Sequence, residues 1–220
     1  MSAAPVKKTE AAPADEDLRE KLTDVSLTGT EETQPEPKTR AQFLKLSREM
    51  SLDPNTAFTQ LLLSEDRNAT VTEEGQSYPD HPDRFTECLQ VLSRDSLTGR
   101  CYWEVGWTGS GLCLAVAYES ISRSGDLDAC RFGFNDKSWA LFCDQNSYYF
   151  IHNKVRTQVS GPVSSRVGVY LDHGAGILSF YSVSETRTLL HRVQTIFTQP
   201  LHAGLWPYFY GDSAELSPLR

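Results

Sequence analysis

The sequence predicts an all-β domain, a sandwich or a barrel, behind an unfolded tail, and three observations carry that prediction. All 23 aromatic residues of the 220-residue chain fall after Arg40, so core-forming material is confined to residues 41–220. Beyond Arg40, short runs with apolar residues at every second position recur at short intervals, the period of a half-buried strand. Turn formers separate the runs, with few helical stretches between them, which favours many short strands in sheets.

Residues 1–40 hold one glycine, four prolines and nine acidic against six basic side chains. Such a stretch buries too little apolar surface to offset chain entropy, so a disordered acidic tail is expected, with 15–27 as a frayed helix within it. The folded domain is expected over 41–220. Residues 40–48 read as a short lead-in helix whose apolar residues are Phe43, Leu44 and Leu46. The turn Leu52-Asp53-Pro54-Asn55 comes next, with Asp53 accepting backbone N–H bonds. Strands are expected over 58–63, 88–93 and 101–107, the last placing Cys101, Trp103, Val105 and Trp107 on one core face. The run 112–118 is apolar on both faces, as for a strand buried between layers. Further strands are expected over 138–143, 147–152, 166–172, 177–183, 188–193 and 205–210. The hairpin over 167–183 is the best defined, with Val167, Val169 and Leu171 on one side and Leu178 and Phe180 available to pair.

Charge and motif spacing exclude several functions. A net charge of −8 argues against a nucleic-acid partner, because phosphate recognition needs a concentrated positive footprint. No apolar run approaches the ~20 residues that span a bilayer. Residues 1–8 run straight into charge, unlike a secretory signal, so a soluble cytoplasmic protein is expected. Cys88, Cys101, Cys113, Cys130 and Cys143 include no C-x-x-C pair and read as free thiols used as small core hydrophobes, although one or two disulfides stay open for a secreted form. The five histidines have no zinc-protease spacing, Gly109-Ser110-Gly111 is no nucleophile elbow, and there is no P-loop. Asp126 and Asp128 read as solvated acids; a divalent-cation enzyme built on them is the weakest reading. Neither a cofactor nor a metal is expected, and no catalytic activity.

The ordered motifs Leu52-Asp53-Pro54, His81-Pro82-Asp83-Arg84-Phe85, Gly99-Arg100-Cys101-Tyr102-Trp103-Glu104-Val105, Val167-Gly168-Val169-Tyr170-Leu171-Asp172 and Gly176-Ile177-Leu178-Ser179-Phe180-Tyr181 resemble a PRY–SPRY domain. That module is similar to the C-terminal domain of tripartite-motif ubiquitin ligases, butyrophilins, certain fish NOD-like receptors and stonefish-toxin subunits. The resemblance covers about 41–212, with a PRY part near 43–95 and a SPRY part over 96–212. It implies a bent, concanavalin-like sandwich of two antiparallel sheets with a short helical lead-in and loops gathered at one face that binds a segment of a partner protein. Gly106 stands where the family usually has an acid, and Asp172-His173-Gly174 where it usually has Asp-Tyr-Glu. The tail has no Cys/His-rich RING or B-box, so ligase activity does not carry over, and tethering to other signalling domains in a longer parent chain is a possibility the resemblance raises.

Partner-binding candidates come from the loops and from that resemblance. Tyr78 and Asp80 lie in the first long connection, where a crossover packing Tyr78 onto the sheet is an equal alternative. Glu119 ends the buried strand, and Phe142 and Asp144 match pocket positions. Trp206 and Tyr208 stand in the aromatic run near the C-terminus. Aromatic rings beside a charge suit interface hot spots, since they desolvate area at small entropic cost. Alanine at Phe142 and Trp206 is expected to abolish partner capture with little change in melting temperature. The alternative function is the terminal domain of a stonefish-toxin-like, pore-forming protein with membrane or glycan binding, which would be secreted.

Overall fold

A computed structural model describes residues 35–219. The frayed helix expected over 15–27, and the expected tail up to residue 34, lie outside the described residues. In chain order the elements are α1 (Arg40–Leu44), β1 (Leu61–Ser64), β2 (Asn68–Val71), β3 (Val91–Leu92), β4 (Arg100–Thr108), β5 (Gly111–Tyr118), α2 (Leu127–Cys130), β6 (Ser138–Asp144), β7 (Tyr148–His152), β8 (Val155–Val159), β9 (Arg166–Asp172), β10 (Ile177–Val183), β11 (Arg187–Gln194), β12 (Leu201–Pro207) and β13 (Ser213–Ser217). The strands form two antiparallel sheets, ordered β1-β2-β13-β4-β9-β10-β11 and β3-β12-β5-β6-β7-β8.

Several elements differ from the sequence expectation for local reasons. The lead-in helix is five residues long, closed at its start by a capping box between Thr39 and Gln42. It stops because the chain at 46–48 joins β4 where β13 runs out: Tyr102 N donates to Leu46 O and Arg48 N to Tyr102 O. The strand expected over 58–63 starts only at Leu61, since Phe58 N bonds Gln90 O instead. The strand expected over 205–210 runs over Leu201–Pro207, and the chain from Tyr208 turns through Gly211 at φ +83°. The elements β2, β8, β13 and α2 have no counterpart in the sequence expectation. In β8 four of five residues are exposed, so it carries no apolar period.

The 167–183 hairpin pairs Phe180 with Val169 and Leu178 with Leu171, as the alternation requires. Between the sheets lie Trp103, Val105, Leu114, Leu141, Val169, Phe180 and Leu205, all buried. Each such side chain contributes roughly 1.5–3 kcal/mol relative to exposure. The motif acid Glu104 is also buried, on the opposite side of β4. It accepts from Tyr102 Oη at 2.8 Å and Arg187 Nη2 at 2.8 Å, and Arg166 Nη1 lies 3.3 Å away. Burial opposes its charge, but these hydrogen bonds and the Arg187 guanidinium outweigh burial and hold its pKa below the usual value. Phe43 of α1 closes over this network, 4.8 Å from the Tyr102 ring.

All five cysteines are free and buried, and burial pushes Cys88 to about 11 and Cys101 to about 12. Asp53 and Asp172 serve their turns, accepting from Asn55 N at 3.0 Å and Ala175 N at 2.9 Å.

Candidate recognition face

The six-stranded sheet buries one face against its partner sheet and turns Cys113, Ala115, Ala117, Ala140, Phe142 and Ile151 the other way. Strand alternation sets this directly: Leu112, Leu114 and Val116 point inward, so their neighbours point outward. The register then lines up a cross-strand row on the outer face. Trp206 of β12 is opposite Cys113 of β5, Cys113 is opposite Phe142 of β6, and Phe142 is opposite Tyr149 of β7. Three inter-strand spacings make this row about 14 Å long.

The rings touch along the row. Phe142 stacks on Tyr149 at 4.8 Å and 7°, and meets Trp206 edge-on at 6.0 Å. Tyr208 joins from the turn after β12, 6.2 Å from Trp206 and 6.3 Å from Phe142. Its ring lies over Gly111, where a Cβ would collide with it, so the glycine shapes the seat. One row further along, Gly204, Ala115 and Ala140 are small, and Phe132 covers them; a Cβ on Gly204 would come 2.6 Å from Phe132 Cζ. The outer face is thus covered by Phe85, Phe132 and Ile121 and left half-open at Tyr149, Trp206 and Tyr208.

Two cations border the row. The Arg131 guanidinium lies 4.1 Å from the Phe134 ring centre and 5.3 Å from that of Trp206, while that of Arg156 lies 3.8 Å from that of Tyr149. Asp144 accepts from Asn146 N, Ser147 N and Ser147 Oγ at 2.7, 2.7 and 2.8 Å. Burial opposes its charge, but these bonds and the nearby Arg156 prevail and hold the carboxyl below its usual value. Burial, followed by the neighbouring Cys113, Tyr149, Cys143 and Asp144, keeps the Tyr208 phenol firmly protonated. The Trp206 Nε1 and Arg131 Nε atoms are buried without a hydrogen-bond partner.

Of the seven residues singled out in the sequence, Phe142, Asp144, Trp206 and Tyr208 come together here. Phe142 is only 3% exposed, so it forms the base beneath the half-open rings rather than a projecting contact, and contrary to the sequence expectation its truncation to alanine should lower the melting temperature. Tyr78 bridges the edge of β1, its hydroxyl donating to Leu61 O at 2.9 Å and accepting from Leu63 N at 3.3 Å. Asp80 is exposed in the same connection, which Arg84 secures by donating to Pro54 O, Ala57 O and Pro79 O. Glu119 follows the far end of β5, six residues and about 20 Å along the strand from Cys113, where it acts on Arg123. Tyr149, Arg131, Phe134 and Arg156 went unnoticed in the sequence. The inward Tyr148 of the same run marks Tyr149 as outward, but the arginines carry no sequence signal. Asp126 caps α2 and Asp128 pairs with Lys154 at 2.8 Å, which leaves no shared cation site; among the described residues no group of three or more His, Cys, Asp or Glu is placed to hold a metal.

Family models match two contiguous stretches: the SPRY-associated domain (PRY) over residues 50–97 and the SPRY domain over 100–216. Tripartite motif-containing protein 16 of Mus musculus is 35% identical over 179 residues, covering 79% of this chain and 32% of that protein. Tripartite motif-containing protein 14 of Mus musculus is 37% identical, covering 79% of this chain and 40% of that protein. The alpha subunit of stonustoxin from Synanceia horrida is 35% identical, covering 75% and 24%. The chain therefore spans only 24% to 40% of these relatives' lengths. Among solved structures, the TRIM65 PSpry domain superposes with a TM-score of 0.74 at 27% identity, over 84% of this chain and all of that one. The stonustoxin structure superposes with a TM-score of 0.76 at 33% identity, over 82% of this chain and 30% of that one.

Proposed function

Because this chain belongs to the PRY–SPRY family, homologous to the PRY–SPRY domains of tripartite-motif proteins, we propose that it is a non-enzymatic module that captures a segment of a partner protein. In this reading 41–220 is the recognition unit, and it works in the cytoplasm, in innate-immune or ubiquitin-ligase-type signalling, joined to other domains of a longer parent chain. The observation that carries the proposal is the set of half-open rings Trp206, Tyr149 and Tyr208 seated on buried Phe142 between two arginines. Pre-positioned aromatics of this kind bind with little loss of side-chain freedom. Tyr78, Asp80 and Glu119 would meet only a longer partner segment that runs beyond the row.

The test is affinity capture with the 220-residue chain beside a Trp206→Ala/Tyr208→Ala variant, followed by reconstitution with the purified partner. A partner held by the parent chain and lost from a variant of unchanged far-ultraviolet circular dichroism is the expected result. Equal capture by both would refute the placement.

A second reading, a toxin-like terminal domain acting on membranes or glycans, draws on the stonustoxin similarity and on Phe209 and Tyr210, which are 67% and 72% exposed at the turn after β12. Sedimentation with phosphatidylcholine vesicles that depends on both rings would favour it. Vesicles that leave the chain in the supernatant would remove the membrane form of it.

A further inference from the structure

Resting on the recognition reading, we propose that this face takes an acidic side chain of an extended peptide segment, its carboxylate paired with Arg131 and its flanking residues laid along Trp206, Phe142 and Tyr149. Arg131, like Arg156, meets rings rather than acceptors, unlike the arginines that are tied down in the domain. Arg84, Arg123, Arg187 and Arg192 each donate to carbonyls, a hydroxyl or a carboxylate. Among the described residues the Arg131 side chain has neither an ion pair nor a hydrogen bond, and its Nε is buried without an acceptor. Ring faces alone hold it, those of Phe134 and Trp206. The adjoining Trp206 Nε1 is a second buried donor without an acceptor. A buried donor left unpaired is costly, so a ligand that brings acceptors gains more here than at an ordinary surface position.

Charge narrows the ligand. Asp144 is the acid of this face, but its oxygens are engaged by 146–147 and it lies in the field of Arg156, while among the described residues no acid pairs with Arg131. A guanidinium presents a planar fork that matches a carboxylate. A dianionic phosphate would gain from one such fork but would also meet Asp144, so the monoanion fits better. The remaining surface belongs to a chain of net charge −8, so an acidic segment finds its complement locally rather than across the molecule. The row is about 14 Å long, the reach of four or five extended residues.

The experiment selects 12-residue displayed random peptides on the 220-residue chain, then remakes the enriched ones synthetically with each Glu or Asp exchanged for Gln or Asn. Binding that falls at least tenfold on one such exchange, and also on Trp206→Ala, is expected. Arg131→Gln, which keeps the backbone bonds to Leu127 and Asn135, should erase the difference between acid and amide peptides; Arg131→Lys should restore part of it. Peptides that need Trp206 yet bind equally as acids or amides would overturn the acidic inference and leave the recognition face standing. Tighter binding of phosphoserine versions, or loss on capping the peptide C-terminus as an amide, would reassign the anion. If no selected peptide depends on Trp206, the recognition face itself falls.

Discussion

Replacing Phe142 with alanine removes the packed base of the proposed recognition face. The ring is 3% exposed, stacked on Tyr149 at 4.8 Å and edge-on to Trp206 at 6.0 Å. Truncating a buried phenylalanine costs about 3–5 kcal/mol, and each aromatic pair contributes about 0.5–1.5 kcal/mol beyond area. Phe142→Ala is therefore expected to lose about 3–5 kcal/mol, a large share of a typical domain's stability. Trp206 is half-open and rests on rings and Arg131, so Trp206→Ala should lose less than half as much. Urea denaturation followed by far-ultraviolet circular dichroism measures both, and Phe142→Leu should recover most of the loss. A Phe142→Ala variant within about 1 kcal/mol of the parent would refute the reasoning, because the ring would then not be the packed base of the face.

Three further outcomes rest on other parts of the domain. Glu104→Gln leaves Arg187 in a buried network without its counterion and should cost about 3–5 kcal/mol. Because the folded carboxyl is held below its unfolded value, its contribution is complete above about pH 4.3 and is lost as the pH falls through the folded value, so acid should destabilise the parent more steeply than Glu104→Gln. Asp212 is buried and accepts from Ser110 N at 2.9 Å and Phe209 N at 3.2 Å, so Asp212→Ala should loosen the turn that carries Tyr208. Faster hydrogen exchange at the Ser110 and Phe209 amides would show it; unchanged protection would count against it. Burial raises the Cys88, Cys101, Cys113 and Cys143 thiols, so iodoacetamide at pH 8 should leave these four unmodified in the native protein and label them once it is unfolded. A rapidly labelled thiol among them would mean the core opens.

Much of the sandwich was legible because buried strands advertise themselves. Trp103 and Val105 alternate with Tyr102 and Glu104, and 112–118 is apolar on both faces because both of its faces are covered. The strands that escaped are those that answer to neighbours rather than to their own pattern. Exposed β8 is an edge strand, and β13 inserts between β2 and β4 with only Ala214 and Leu216 buried. At the face, Phe142, Asp144, Trp206 and Tyr208 were within reach of sequence and family resemblance. Tyr149 needed the cross-strand register. Arg131 needed the fold, since nothing in its own segment says that it will lie across Trp206.

Photocrosslinking from two positions tests the central claim most directly. Benzoylphenylalanine replaces exposed Phe209, whose ring lies 6.3 Å from that of Tyr208, or exposed Leu189 on β11, an edge strand of the other sheet. A discrete protein adduct from position 209 that disappears with Trp206→Ala, and none from 189, is the predicted result. An adduct from 189 alone, or one from 209 that survives Trp206→Ala, would contradict the assignment of this face.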